Sequence, residues 1–166
     1  MIVGLSLYAF TIIHVIISLI AIAAGLVVMF GMLGSHRLPG WTAIFLITTA
    51  LTSITGFMFP INGFTPALGT GIVATIVLVF ALVGLYGKHL SGAWRWIYAA
   101  TAVISLYLNV FVLIVQSFQK IAFLKAMAPT QSEPPFLIAQ GAALVFFVAI
   151  GIAAAIKFRP GLRITA

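Results

Sequence analysis

Apolar residues fill five long stretches of this chain, at about 5–33, 41–59, 68–87, 96–118 and 136–156, and short polar or turn-forming segments separate them. The first separator is Gly34-Ser35-His36-Arg37-Leu38-Pro39-Gly40 and the third is Lys88-His89-Leu90-Ser91-Gly92-Ala93-Trp94-Arg95. Each joins glycine or proline to cations, which is loop chemistry. The second, Pro60-Ile61-Asn62-Gly63-Phe64-Thr65-Pro66, has no charge, but its prolines and Asn-Gly pair punctuate helices. The fourth, 119–135, is the longest hydrophilic stretch. About 20 apolar residues match what a helix needs to cross a ~30 Å hydrocarbon core. The stretches are too long and continuous for barrel strands, which alternate apolar and polar over about ten residues. A four-helix reading would bury the turn at 60–66 in lipid, with its backbone groups unpaired. The pattern therefore predicts an all-α fold: a polytopic transmembrane helical bundle of five helices forming a single membrane domain over 1–166.

Polar residues inside the apolar stretches fall on faces. Tyr98, Thr101, Ser105, Asn109 and Gln116 are spaced by three, four, four and seven, which is one face of the fourth helix. Thr11, His14, Ser18, Ala21 and Gly25 make a similar face on the first. Thr48, Thr52 and Thr55 lie on one side of the second, with Thr49 and Ser53 beside them, and Gln140 lies in the fifth. In lipid such groups need partners within the protein, so these faces point inward. At about 1.5 Å rise per residue, His14 lies roughly 12 Å below the N-terminal boundary of its helix. Asn109 is at a comparable depth from its own helix end, and Thr52, Gln116 and Gln140 share that half of the bundle. The opposite half is nearly all aliphatic. His14, Asn109, Gln116, Gln140, Thr52 and Ser105 are thus the expected ligand-binding residues, and no catalytic or metal-ligating residue is expected. His14 is the sharpest of them, because an ionisable group inside a membrane is a functional candidate by default. The competing reading for the threonines and serines is structural: cross-helix hydrogen bonds worth about 0.6 kcal/mol each. A neutral His14 bonded to Asn109 or a threonine would likewise be structural. His36 and His89, beside Arg37 and Lys88, read as solvated interfacial side chains.

Charge sets the expected orientation. Lys and Arg number eight and Asp and Glu only one, Glu133, for a formal net charge of +7. Charged residues make up 5% of the chain against about 25% in soluble domains. With the N-terminus outside, the inner side receives Arg37, Lys88, Arg95, Lys157, Arg159 and Arg163, while the outer side receives Lys120 and Lys125. This obeys the positive-inside rule and puts the C-terminus inside. Trp41, Trp94 and Trp96 fall at inner helix ends, as interfacial anchors do. The cations cap helix ends, where they meet lipid head groups; they do not stripe one face, so nucleic acid is not an expected partner. The first stretch lacks a preceding Lys or Arg and runs on past Ala21-Ile22-Ala23, so it reads as an uncleaved transmembrane helix and not as a signal peptide.

The scarcity of charge also limits chemistry. One carboxylate cannot supply a hydrolytic pair, and a Ser-His-Asp triad lacks its acid. The absence of cysteine removes disulfides, thiolate metal sites and thioether-linked haem. Zinc or di-iron lacks enough ligands at one depth, and a carboxylate proton relay lacks its carboxylates. There is no phosphate-binding glycine loop. The inner half has almost no polar path, which argues against a transporter. Haem b through His36 with His89, or through His14 with Met58, is a minor option. A quinone or another small apolar molecule demands only one or two hydrogen bonds in an apolar cleft.

His14, the segment SHRLPGW at 35–41 and the aromatic-basic segment GAWRWIY at 92–98 resemble features of bacterial multipass membrane proteins of unassigned function. The matching positions are scattered over most of the first four helices. The resemblance implies a multipass bundle in a bacterial inner membrane and brings no activity with it. The expectation is a small inner-membrane protein without catalysis of its own: an accessory or scaffold subunit with partner subunits or a second copy, or a binder of a small apolar ligand. The alternative is an electron-transfer protein holding haem b or quinone.

Overall fold

The computed structural model describes residues 2, 4–60, 63 and 66–160. Among them are six α-helices and no strand: α1 Leu7–Leu33, α2 Pro39–Phe57, α3 Pro66–Leu82, α4 Trp94–Lys120, α5 Ala122–Met127 and α6 Pro134–Lys157. A single π-helical turn, Val83–Gly87, prolongs α3. Five of these elements are long and apolar enough to cross a membrane, as the hydropathy pattern predicts, and the chain is a multipass membrane protein. Ile61, Asn62, Phe64 and Thr65 of the expected second turn, and Arg163, lie outside the described residues.

Local chemistry accounts for the helix ends. Ser6 caps α1 by accepting a hydrogen bond from the Ala9 amide. Pro39 opens α2 at its first helical position, where a missing N–H costs nothing. Leu38 before it is left-handed, with φ +42. That strain is held by packing, since the Leu38 side chain fills the space above Gly31. Pro134 starts α6 in the same way as Pro39 starts α2. The short α5 is the one element the hydrophobic pattern does not predict. It falls in the stretch read as hydrophilic, yet Ile121, Phe123 and Met127 are all exposed apolar side chains.

α4 is the central helix. It packs against α1, α3 and α6, while α1 lies along α2 and α2 against α3. The dense core occupies one half only. It joins Ala24, Val28, Met29 and Met32 of α1, Phe45 and Leu46 of α2, Leu78, Ala81 and Leu85 of the third span, Ala99, Ala102 and Leu106 of α4, and Phe147 and Ala154 of α6. All belong to the half nearest the 34–38 and 88–93 connections, hereafter the cation-rich end. Small residues on α1 and α4 let their backbones approach, which is how membrane helices gain dispersion energy without a hydrophobic drive. The closest approach is at Gly25, where a Cβ would stand 2.6 Å from Leu106 Cδ1 and 2.8 Å from Phe45 Cε2.

Polar contacts tie the cation-rich end together. The Arg95 guanidinium donates to the Phe158 and Ala155 carbonyls at the end of α6, closing groups that the helix leaves unpaired. The Arg159 amide donates to Ser35 Oγ at 2.8 Å. At the opposite end, Gln131 donates from Nε2 to the Val115 carbonyl at 2.9 Å and pins the 128–133 loop onto α4. Glu133 gathers that loop by accepting from the Thr130 hydroxyl at 2.8 Å and from the Thr130 and Ser132 amides at 3.1 Å each. Partial desolvation pushes its carboxyl up, but these hydrogen bonds outweigh that and hold it below its ordinary value.

Candidate functional site

Where the core ends, the helices part. A cleft of about 580 Å³ opens among α1, α2, α3 and α4, in the half remote from the cation-rich end. Its walls run along α1 from Ile22 to Thr11, about 16 Å of helix at the usual rise. Ala74 of α3 and Leu108 of α4 are among its apolar wall residues, and Pro60 and Lys120 line it at the loop end. The surface of the cleft is mostly apolar, with polar side chains set among the apolar ones. Pockets for small ligands span about 300–1,000 Å³ and are mostly apolar with a few placed polar groups. This cleft has both properties.

The polar groups come from all four helices, Thr70 being the contribution of α3. His14, Thr52, Asn109 and Gln116 all line the cleft, as do Thr11 and Ser18. Their convergence follows from helical spacing, because residues four apart stack on one face and each face turns toward its neighbours.

His14 is half-buried and fixed on two sides. Its Nδ1 lies 2.7 Å from Thr55 Oγ1. The Thr55 hydroxyl proton is already committed to its own helix, to the Leu51 carbonyl at 2.7 Å and the Thr52 carbonyl at 3.2 Å. With the hydroxyl proton assigned to its own helix, Thr55 Oγ1 accepts and His14 Nδ1 carries the proton that it donates. In a neutral ring this leaves Nε2 as a bare acceptor. The ring also meets Phe59 edge to face, with centroids 5.2 Å apart, and Phe59 in turn stacks edge-on with Phe10 at 5.1 Å. These aromatic contacts set the ring plane and wall one side of the site.

Asn109 lies deeper. Its Nδ2 donates to Thr49 Oγ1 at 3.2 Å, joining α4 to α2. Thr49 is six residues from Thr55 on α2, so Asn109 and His14 sit about 9 Å apart along the helix axis. They share one cleft and do not bond each other. Of the two partners open to a structural His14, the fold uses a threonine. Thr52 Oγ1, between the two levels, is buried without a hydrogen-bond partner among the described residues. Gln116, nearer the loop end, makes no side-chain hydrogen bond among the described residues, which leaves its amide for a ligand.

Two of the six expected residues stand apart from the cleft. Ser105 is 1% exposed and sits in the packed core, with its hydroxyl unpartnered among the described residues. Gln140 donates from Nε2 to the Phe111 carbonyl at 3.2 Å and ties α6 to α4. Neither lines the cleft. Conversely, Gly56, Phe59 and Lys120 line it without a sequence signal, because each owes its place to how α2 and α4 splay.

The other histidines are at the far end. His89 lines a separate pocket with Arg37, Arg95 and Arg159. Met58 does not line the cleft that holds His14. Among the described residues no group of three His, Cys, Asp or Glu side chains comes together. No family description, curated protein or solved structure matches the chain.

Proposed function

We propose that this protein is a bacterial inner-membrane subunit that binds a small apolar ligand in the cleft, holding the ligand's polar head at His14, and that it does no catalysis of its own. The observation that carries the reading is the asymmetry of the bundle: one half is densely packed, and the other keeps a cleft lined by a half-buried histidine held at Nδ1 by Thr55. The distribution of cations supports an N-terminus outside and a C-terminus inside, which puts the cleft in the outer half. Wide lipid-facing surface on α6 leaves room for partner subunits or a second copy.

The tautomer of His14 specifies the ligand head. Nε2 of the neutral ring accepts, so the ligand donates an O–H or N–H there. Gln116 offers both an acceptor and a donor nearer the loop end. A hydroxylated ring on an apolar tail, such as a quinol, has this chemistry. The alternative, an electron-transfer protein with haem b, needs a second axial ligand, and His14 lacks another histidine at its depth.

The test compares a short-chain benzoquinol with its dimethyl ether on detergent-purified protein. The quinol should raise the unfolding temperature, and the ether, which has no proton to donate, should raise it far less. Equal effects of the two would refute the assigned head group. A Soret band that responds to dithionite would replace this reading with the haem one.

A further inference from the structure

A second cavity, of about 540 Å³, lies at the cation-rich end. Four cationic or titratable side chains from four separate segments line it: Arg37 from the α1–α2 connection, His89 from the α3–α4 connection, Arg95 from the first turn of α4 and Arg159 just beyond α6. We infer that this pocket is a binding site for a phosphate-bearing anion. It is independent of the cleft at His14.

The first support is uncompensated charge. Like charges brought together in a fold repel unless a counter-ion joins them. The only Asp or Glu side chain in the chain is Glu133. It belongs to the 128–133 loop at the opposite end, engaged with Thr130 and Ser132. The Arg37 and Arg159 guanidiniums make no hydrogen bond or ion pair among the described residues. Three guanidiniums therefore share a pocket to which no carboxylate side chain of the described residues comes near.

The second support is that the framework is built while the charges are left over. The Thr42 hydroxyl donates to the Arg37 carbonyl at 2.9 Å and fixes that backbone. The Arg159 amide is held by Ser35 Oγ at 2.8 Å. Arg95 spends one nitrogen, Nη1, on the Ala155 carbonyl of α6 and the Phe158 carbonyl just beyond it, and keeps its other donors. The π-helical turn closes with the Lys88 amide on the Val83 carbonyl at 2.8 Å, and the Leu90 amide reaches the Gly84 carbonyl at 3.0 Å. These bonds place the 88–92 loop, in which His89 and Leu90 both adopt positive φ, against the pocket. The side chains that remain are forked donors on fixed stems. Guanidinium forks match the oxygen spacing of phosphate and bind it in bidentate fashion. The pocket is at the level where lipid phosphates lie, next to the interfacial Trp94 and Trp96. The same chemistry would take a phospholipid head group or a soluble phosphate ester.

The full-length protein in dodecyl maltoside micelles, titrated with phosphatidylglycerol under native mass spectrometry, tests this. Phosphatidylglycerol should bind at least tenfold more tightly than phosphatidylcholine. The double variant R37Q/R159Q should lose that preference. K120Q/K125Q, which removes the same charge from the opposite end, should keep it. Displacement of the lipid by millimolar glycerol phosphate would identify a site that takes soluble esters; retention of the lipid against it would identify a head-group site. Should R37Q/R159Q fail to fold, R37Q alone, at an exposed position, should weaken binding at least threefold. Equal binding of the two lipids without binding of glycerol phosphate would overturn the inference. So would equal losses in the two double variants, because general charge attraction would then explain them.

Discussion

Alanine at position 14 should weaken binding of the benzoquinol at least tenfold, about 1.4 kcal/mol, while the bundle stays folded. The two effects separate because His14 uses its two nitrogens differently. Loss of the Nδ1–H donor leaves Thr55 still bonded to the Leu51 and Thr52 carbonyls. Only an acceptor lone pair is given up, so the stability cost should be about 1 kcal/mol or less. Loss of Nε2 removes the acceptor that orients the ligand and leaves its hydroxyl buried without a partner, which is the expensive case. His36→Ala, at the far end of α1, should change neither quantity. Titration of the ligand into both variants, with thermal unfolding in the same detergent, measures the contrast. Negligible effects from both substitutions would remove the site.

Leucine at position 25 should produce the largest loss of stability from a single change within the membrane. Gly25 is where α1, α2 and α4 meet, and a Cβ there already stands within 2.9 Å of Phe45 and Leu106 atoms. Phe45 and Leu106 are each 1% exposed, so neither can move out toward lipid without disturbing the core. Overpacking of this kind costs about 1–3 kcal/mol, and more when backbones must separate. Val27→Leu adds a methylene to the same helix at a position 36% exposed toward lipid, and should be silent. Thermal unfolding of both proteins in matched micelles reads the difference. A Gly25→Leu protein as stable as Val27→Leu would mean that the core is looser than its geometry implies.

The helices were legible because lipid imposes so simple a rule. A segment that must satisfy its own backbone is a helix, and its length follows from the thickness it spans. The ends then moved by a residue or two, toward Pro39, Pro66 and Pro134, because proline starts helices as well as interrupting them. α5 was not legible, since six residues are too few to show a period. The cleft was legible in part. His14, Thr52, Asn109 and Gln116 announce themselves as polar positions on inward faces, and depth arithmetic puts them in one half. Ser105 obeys the same spacing yet ends in the core, because one turn along α4, from Ser105 to Asn109, separates the packed half from the cleft. Gln140 is on a different helix, and its nearest carbonyl, on Phe111, claims it. The splay itself leaves no trace in periodicity. Neither does the convergence of Arg37, Arg95 and Arg159, which depends on where three chain connections fold back.

The central claim is that the cleft is the ligand site, and filling it tests that most directly. Gly56 lines the cleft, and the nearest atom to a Cβ built there is His14 Cε1 at 3.7 Å, so a large side chain has only the cleft to enter. Native mass spectrometry of wild-type protein and Gly56→Trp, each saturated with the benzoquinol, gives the occupancy of each. One bound ligand on the wild type and none on Gly56→Trp, with both proteins folded, is the result expected. The same occupancy on both would show that the ligand sits elsewhere and would contradict the account.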